Sequence, residues 1–270
     1  MLRMKVWTVV MAAAVATGCA AGAPLESAPG TYLALGDSVA FGFNPLVDLR
    51  SQQVTGYPEL IAASRGLEIT NLACPGEATG GFVSPNGADN HCRENRKAYP
   101  LHVAYDGTQL QAAVEFLATT PDTELVTIDI GANDVFLLDH LCGRDFACIL
   151  SNFVATMGDY ERNVEFIMAQ LRKVYSGPLV ALSIYNPYPA DATAQYALEK
   201  IDAALAEKIT AHGGVLADGM TAFAFAGNGD PCKAGLLIDL GDGTCDVHPT
   251  PAGAKVLADA IEAVLAAPAR

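Results

Sequence analysis

The chain has 270 residues, of which 51% are hydrophobic and only 17% are charged. This is enough apolar material for one large domain with a substantial core, and too little charge for a chain that is disordered throughout. The 16 basic and 30 acidic residues give a formal net charge of −14, which disfavours nucleic acid as a partner because phosphate binding needs a basic surface.

The first 18 residues are typical of a signal peptide that is removed from the mature protein. Arg3 and Lys5 precede an apolar run at positions 6–15. That run is too short to span a bilayer as a mature helix and matches the apolar core of an export signal. We therefore expect the mature protein to be exported.

The residues after the apolar run indicate where the signal is cleaved. Ala16-Thr17-Gly18-Cys19 resembles the lipobox of bacterial lipoproteins, in which the cysteine is lipidated and becomes the new N-terminus. Cleavage after Ala23, which gives a freely secreted protein, is the alternative, and Pro24 disfavours it. We predict lipidation and membrane attachment at Cys19, a short linker over residues 19–30 and one domain over residues 31–270.

Strand-like and helix-like segments alternate along this domain. In chain order we predict a strand at 31–35, a helix at 57–64, a strand at 67–72, an irregular segment at 74–107, a helix at 108–118, a strand at 124–130, an irregular segment at 134–152, a helix at 153–175, a strand at 178–185, a helix at 192–212, a strand at 215–217 and a helix at 251–266.

This alternation predicts an α/β fold with a single doubly wound, flavodoxin-like domain. About five parallel strands would form the middle of three α/β/α layers, since nearly continuous apolar strands are typical of a sheet covered on both faces. Ligands of such sheets bind beyond the carboxyl ends of the strands. Ser38 and Asn133 both follow predicted strands, so we expect both at that edge.

Six cysteines remain once Cys19 is assigned to the signal region: Cys74, Cys92, Cys142, Cys148, Cys232 and Cys245. An even number in an exported chain favours disulfides. Six cysteines allow 15 pairings, of which the sequential one is the simplest. A zinc site is the alternative, but the chain has no CxxC pair.

Four short motifs place reactive or polar groups at strand ends or at the entry to the last helix. They are Gly36-Asp37-Ser38, Cys74-Pro75-Gly76, Gly131-Ala132-Asn133-Asp134 and Asp246-Val247-His248-Pro249. A parallel sheet would bring all four to one edge. Alone, a serine after a strand is most often a turn or helix-capping residue.

Together, these motifs resemble the four blocks of the SGNH hydrolases, the GDSL esterase/lipase family. The resemblance covers about residues 31–266, and the blocks occur in the family's order. The exported, disulfide-containing actinomycete members look most similar, because they also carry three sequential disulfides. The GxSxG motif of α/β-hydrolases is absent around Ser38.

The resemblance implies a serine esterase or lipase that needs no cofactor or metal. Ser38 would be the nucleophile and His248 the base that removes its proton. The backbone N–H groups of Ser38 and Gly76, with the side-chain amide of Asn133, would form the oxyanion hole. Asp37 and Asp134 are expected to be structural.

The third member of the catalytic group is left open by the sequence. The family pattern has an aspartate three residues before the histidine, but Cys245 occupies that position here. Asp246, two residues before His248, is one candidate to orient the imidazole. A backbone carbonyl just upstream, as in some exported relatives, is the other.

The substrate is less well defined. The apolar side chains after Ser38 and Asn133 either line an acyl pocket or pack in the core, and they are Phe41, Phe43, Val135, Phe136, Leu137, Leu138 and Leu141. They favour a carboxylic ester with a short to medium chain. Phospholipase or thioesterase action at the same serine, and a catalytically inactive ligand-binding lipoprotein, are the alternatives. We expect a monomer, a solvated turn rather than a Ca²⁺ site at residues 240–246, and no role for the other four histidines.

Overall fold

A computed structural model describes residues 29–143 and 145–267. The predicted signal peptide, Cys19 and most of the predicted linker lie outside the described residues. The strands are β1 (Thr31–Gly36), β2 (Glu68–Asn71), β3 (Thr123–Asp129), β4 (Leu179–Leu182), β5 (Val215–Ala217), β6 (Leu237–Asp239) and β7 (Cys245–Pro249). The helices are α1 (Ser38–Phe41), α2 (Tyr57–Arg65), α3 (Thr79–Val83), α4 (Cys92–Ala98), α5 (Gln109–Thr119), α6 (Ala132–Cys142), α7 (Phe146–Val174), α8 (Ala192–Ala211), α9 (Gly219–Gly227) and α10 (Pro251–Ala266).

The central sheet has five strands in the order β2-β1-β3-β4-β5. All four pairings between neighbouring strands are parallel. This is the flavodoxin-like order, in which the chain winds first to one side of β1 and then to the other. The predicted doubly wound sheet is therefore confirmed, including its number of strands.

Helices cover both faces of the sheet. Alternate residues of β1 point to opposite faces, so that Leu33 packs with α5, α7 and α8 on one side, while Tyr32 packs with α2, α9 and α10 on the other. Both side chains are fully buried. Within residues 29–143 and 145–267 no helix combines the length and the apolar character needed to cross a membrane.

Two segments predicted to be irregular contain helices. The segment 74–107 includes α3 and α4, and 134–152 contains most of α6 and the first turns of α7. Gly143, with a φ of 57°, ends α6. The Asp145 carboxylate then caps α7 by accepting hydrogen bonds from two backbone N–H groups. Side-chain capping, which apolar periodicity does not reveal, therefore starts α7 seven residues earlier than predicted.

The antiparallel pair β6-β7 was also not predicted, and it carries the site histidine. Leu237 pairs with Pro249, and Asp239 pairs with Cys245. The two strands span three and five residues, which is too short for a clear alternating pattern. This hairpin extends the chain beside the main sheet and delivers His248 to the carboxyl ends of the parallel strands.

Candidate active site

Ser38 lies at the sharp turn between β1 and α1. Gly36, the last residue of the strand, has a φ of 142°, and a Cβ there would come within 1.8 Å of an Asp129 oxygen. Only glycine fits this combination of backbone conformation and close approach. The Asp37 carboxylate then accepts a hydrogen bond from the Val39 N–H at 2.9 Å, which caps α1 and fixes Ser38 at its first position. Asp37 thus has the structural role predicted for it.

The Ser38 hydroxyl contacts His248, 210 residues further along the chain. Ser38 Oγ lies 2.8 Å from His248 Nε2. On the other side of the ring, His248 Nδ1 is hydrogen-bonded to the Asp246 carboxylate. With the Nδ1 proton directed at Asp246, Nε2 is the lone-pair nitrogen that can accept the serine proton.

Asp246 is held by its own strand. Its Oδ1 also accepts a hydrogen bond from the backbone N–H of His248 at 3.0 Å. Burial raises the pKa of the Asp246 carboxyl, but the hydrogen bond and charge of His248 outweigh burial and leave that pKa below its ordinary value. Of the two orienting groups that the sequence left open, the carboxylate is the one next to Nδ1.

The strand that carries His248 is fixed from three directions. The Tyr185 hydroxyl donates a 2.6 Å hydrogen bond to the Val247 carbonyl. The Phe43 ring packs against the imidazole with ring centres 4.7 Å apart. A disulfide joins Cys245, three residues before the histidine, to Cys232. These contacts leave the imidazole little freedom to turn away from Ser38.

Ser38, Gly76 and Asn133 all line one cleft of about 480 Å³. Gly76 has a φ of 85°, and a Cβ there would lie 1.9 Å from the Asn90 carbonyl oxygen. Asn133 lies in the first turn of α6 and is 5% exposed. The structure thus brings together the three residues predicted to form the oxyanion hole.

The side-chain amide of Asn133 makes three hydrogen bonds. Its Nδ2 donates to Asp37 Oδ2 at 3.1 Å and to the Glu77 carbonyl oxygen at 3.0 Å. Its Oδ1 accepts a hydrogen bond from Asn90 Nδ2 at 2.9 Å. An ester oxygen that approaches Nδ2 must therefore share or replace one of the two existing acceptors.

Three buried or partly buried carboxyl groups lie near the sheet edge, and one of them, Asp37, lines the cleft. Burial raises the pKa of Asp37 to about 6, although the Val39 N–H, His248 and Asn133 oppose this rise. Burial also raises the pKa of Asp129 well above its ordinary value, and the charge of Asp37 adds to it. The pKa of Asp134 rises to about 6 through burial, against the hydrogen bonds from Thr79. Asp134 accepts from both the backbone and the hydroxyl of Thr79, in agreement with its predicted structural role.

The cleft has an apolar and a polar part. Phe43, Val135 and Phe136 line it, as do Ile184, Pro187, Leu198 and Val247. Its polar side chains include Asn90, His91, Asn95, His140 and Asn186. Of the side chains predicted as alternatives for an acyl pocket, Phe41 instead packs in the core. Leu137, Leu138 and Leu141 line a separate cavity of about 410 Å³ on the other side of α6.

A comparison with family models and solved structures agrees with this geometry. Residues 34–256 match the model of the GDSL-like lipase/acylhydrolase family. The chain belongs to this family. Membership makes it an ester hydrolase and confirms the resemblance that the four motifs indicated. No curated protein matches the chain.

Solved structures show the same fold at low sequence identity. A phospholipase A1 from Streptomyces albidoflavus is 20% identical over 87% of this chain and 99% of its own, with a TM-score of 0.57. An extracellular lipase from Streptomyces rimosus is 19% identical with the same coverage and a TM-score of 0.58. An acetylxylan esterase from Geobacillus stearothermophilus is 15% identical over 88% of this chain and 95% of its own, with a TM-score of 0.56.

The disulfides of this GDSL-family chain follow the sequential pairing. Cys74 is joined to Cys92, Cys142 to Cys148 and Cys232 to Cys245. The three pairs are the sequential ones predicted as the simplest, and they use all six of these sulfurs. Cys74, Glu77 and Cys92 form the one group of three potential metal ligands among the described residues, and two of its members are bonded to each other.

Sequence reasoning missed several cleft residues. His91 and His140 were assigned no role, yet both line the cleft. Asn90 was not singled out, because it lies in a segment that was predicted to be irregular. Cys74 and Cys92, which flank Asn90 in the sequence, were the available signal. A disulfide between them holds the loop that contains Asn90 close to Gly76.

Proposed function

We propose that the chain is an exported serine esterase that hydrolyses carboxylic esters through an acyl-enzyme on Ser38. The observation that carries this proposal is the continuous hydrogen-bonded series from Ser38 Oγ to His248 Nε2, and from His248 Nδ1 to Asp246. These are the geometric relations that a nucleophile, its base and an orienting group require.

In the first half-reaction, Ser38 Oγ attacks the ester carbonyl carbon while His248 Nε2 takes the hydroxyl proton. The carbonyl oxygen becomes an oxyanion, which the N–H groups of Ser38, Gly76 and Asn133 stabilise. The intermediate then collapses, and the bond to the alcohol oxygen breaks. His248 returns its proton to that oxygen, so that a neutral alcohol leaves.

In the second half-reaction, water replaces the serine as the attacking group. His248 removes a proton from the water as its oxygen attacks the acyl carbon. The second oxyanion collapses, the bond to Ser38 Oγ breaks, and the serine recovers a proton from His248. Asp246 stabilises the imidazolium that forms in both halves.

The cleft supports an ester with an apolar acyl group and an uncharged alcohol. Its volume of about 480 Å³ lies within the range of small-molecule sites. Among the described residues that line it there is no lysine or arginine. A phosphate or other anionic headgroup that enters the cleft would therefore meet no permanently positive side chain among these lining residues. We accordingly propose simple carboxylic esters as the preferred substrates over phospholipids.

The location of the enzyme is the second part of the proposal. Three disulfides are typical of proteins that fold in an oxidising compartment. This supports export, and the Ala16-Thr17-Gly18-Cys19 sequence supports a lipid anchor on Cys19. We therefore propose a cell-envelope lipoprotein, and we propose separately that it is a monomer.

The test is hydrolysis of p-nitrophenyl esters from acetate to palmitate, with phosphatidylcholine for comparison. Ser38→Ala should lose about 10⁴-fold or more in turnover, because it lacks the nucleophile. Ser51→Ala is the matched control, since Ser51 is an exposed serine that does not line the cleft. It should retain native turnover. Native turnover by Ser38→Ala would refute the nucleophile. No turnover of any ester by the native enzyme would favour an inactive binding protein.

A further inference from the structure

The loop that carries Asn90 is held against the proposed oxyanion hole by several constraints. The backbone N–H of Asn90 donates a 2.8 Å hydrogen bond to the Gly76 carbonyl. His91, the next residue, has a φ of 76°. This left-handed conformation is costly for a non-glycine residue and is maintained only where its surroundings impose it. The disulfide between Cys74 and Cys92 closes the same loop.

These constraints direct the Asn90 side chain at Asn133. Asn90 Nδ2 lies 2.9 Å from Asn133 Oδ1, and Asn90 itself lines the cleft. The two ends of an asparagine amide have similar shapes but opposite hydrogen-bonding roles, so rotation by 180° exchanges a donor for an acceptor. A donor placed next to Oδ1 selects the orientation in which Nδ2 points the other way.

We propose that Asn90 is a positioning residue that fixes the Asn133 amide with its Nδ2 donor directed at the developing oxyanion. This rests on the proposed function and adds a residue to its machinery. In the free site, Asp37 and the Glu77 carbonyl also hold Nδ2. A substrate oxygen that takes one of those N–H groups weakens this hold. The contact with Asn90 is at the opposite end of the amide, so it persists through the reaction.

The same contact strengthens Asn133 as a donor. A hydrogen bond accepted by an amide oxygen polarises the amide and makes its N–H groups better donors. Asn90 therefore contributes to the direction and the strength of the Asn133 donor without touching the substrate carbonyl. Its loss should lower kcat more than it raises KM, because the oxyanion forms only as the reaction proceeds.

A double-mutant cycle separates this role from a general contribution to the loop. Asn133→Ala should lower kcat about 10²- to 10³-fold, as expected for one oxyanion donor. Asn90→Ala should lower kcat about tenfold, the effect of one hydrogen bond. In the Asn133→Ala background, Asn90→Ala should have almost no further effect, because the group that it positions is absent. An equal loss in both backgrounds would overturn the proposal, as would native kcat in Asn90→Ala.

Asn90→Asp keeps the side-chain shape and tests the direction of the amide. A carboxylate at this position cannot donate to Asn133 Oδ1 and would repel it. In the turned orientation Oδ1 would instead face the Asp37 carboxylate and the Glu77 carbonyl, so the Asn133 amide would have no favourable orientation. We expect a larger loss of kcat than for Asn90→Ala. If Asn90→Ala does not fold, native kcat in Asn90→Asp overturns the proposal by itself.

Asn186→Ala supplies the matched control. Asn186 also lines the cleft, but its amide bonds to Gln195 Oε1 at 2.7 Å. The effect of this change on kcat should be the same with and without Asn133. If Asn186→Ala were coupled to Asn133→Ala as strongly as Asn90→Ala is, a specific role of Asn90 would be contradicted.

Ser38→Ala in the same assay separates the two proposals. Loss of turnover there with native kcat in Asn90→Ala rejects only the role of Asn90, while native turnover in Ser38→Ala rejects the proposed function and this role with it.

Discussion

Glu77 gives a residue-scale prediction on pH. It is 3% exposed and lies next to Gln109. Burial and the charge of Asp89 raise the pKa of its carboxyl from 4.5 to about 8. The native state therefore binds more protons than the unfolded chain between these values, so this group makes stability fall as the pH rises through that window. Each pKa unit of difference between the folded and unfolded states corresponds to about 1.4 kcal/mol in the free energy of unfolding.

We predict that Glu77→Gln reduces this dependence, because it keeps the shape of the side chain and removes the charge. At high pH the variant should be more stable than the native protein by a few kcal/mol, and at low pH it should have no advantage. Urea denaturation across the pH range measures this difference. Glu115→Gln is the control, because it removes one carboxylate from an exposed position on α5. A native-like pH slope in Glu77→Gln would reject the explanation.

The motifs around Ser38 and His248 could be recognised from the sequence alone, because Gly36 two residues before the serine and the proline after the histidine belong to recognisable blocks. The group that orients His248 was left open, since the position of a carboxylate two residues away depends on side-chain rotation. Asn90 has no such block around it, and only the folded loop brings it to Asn133.

At the scale of elements, the predicted strands of the sheet were correct and the β6-β7 hairpin was missed. The three central strands of the sheet, β1, β3 and β4, are largely apolar and buried, so their sequences carry a clear pattern. β7 lies at the cleft, and its burial is only partial along its whole length. Its conformation depends on contacts distant in sequence, such as Tyr185 with Val247, and these could not be predicted from local pattern.

The disulfide at the start of β7 gives an element-scale prediction. Cys232 and Cys245 are 13 residues apart. Closing a loop of that size lowers the conformational entropy of the unfolded chain and so raises its free energy by about 3 kcal/mol. Cys232→Ser with Cys245→Ser should therefore lower the free energy of unfolding by about that amount. It should also lower turnover, since β7 carries Asp246 and His248. Denaturation and ester hydrolysis by the double variant measure both effects. Unchanged stability together with unchanged turnover would contradict this account.

At the scale of the whole molecule, the fold and the family agree with the sequence, while the anchor on Cys19 remains a prediction. Doubly wound topology follows from the alternation of elements, and its strand order is set by the packing of whole helices on the sheet. The lipid attachment depends on processing of residues that lie before the described domain. It therefore needs a measurement on the intact precursor in a bacterial host.

We predict that the full-length chain, expressed in such a host, is recovered in the membrane fraction with a lipid-modified N-terminus at Cys19. Cys19→Ser should release the protein from that fraction while leaving ester hydrolysis unchanged, because the anchor is outside the catalytic domain. Fractionation followed by mass spectrometry of the mature N-terminus makes the comparison. A soluble native protein that begins at Pro24 would instead show ordinary secretion.

The proposed ester hydrolysis requires that Ser38 is a nucleophile and that His248 activates it. The most direct measurement is intact-protein mass spectrometry after treatment with a fluorophosphonate, followed by peptide mapping. Attack by Ser38 Oγ on phosphorus would expel fluoride and leave one stable adduct. We predict a single adduct on Ser38 in the native enzyme, much slower labelling in His248→Gln and no adduct in Ser38→Ala. A native enzyme that takes up no label, or takes it up at another residue, would contradict the central claim.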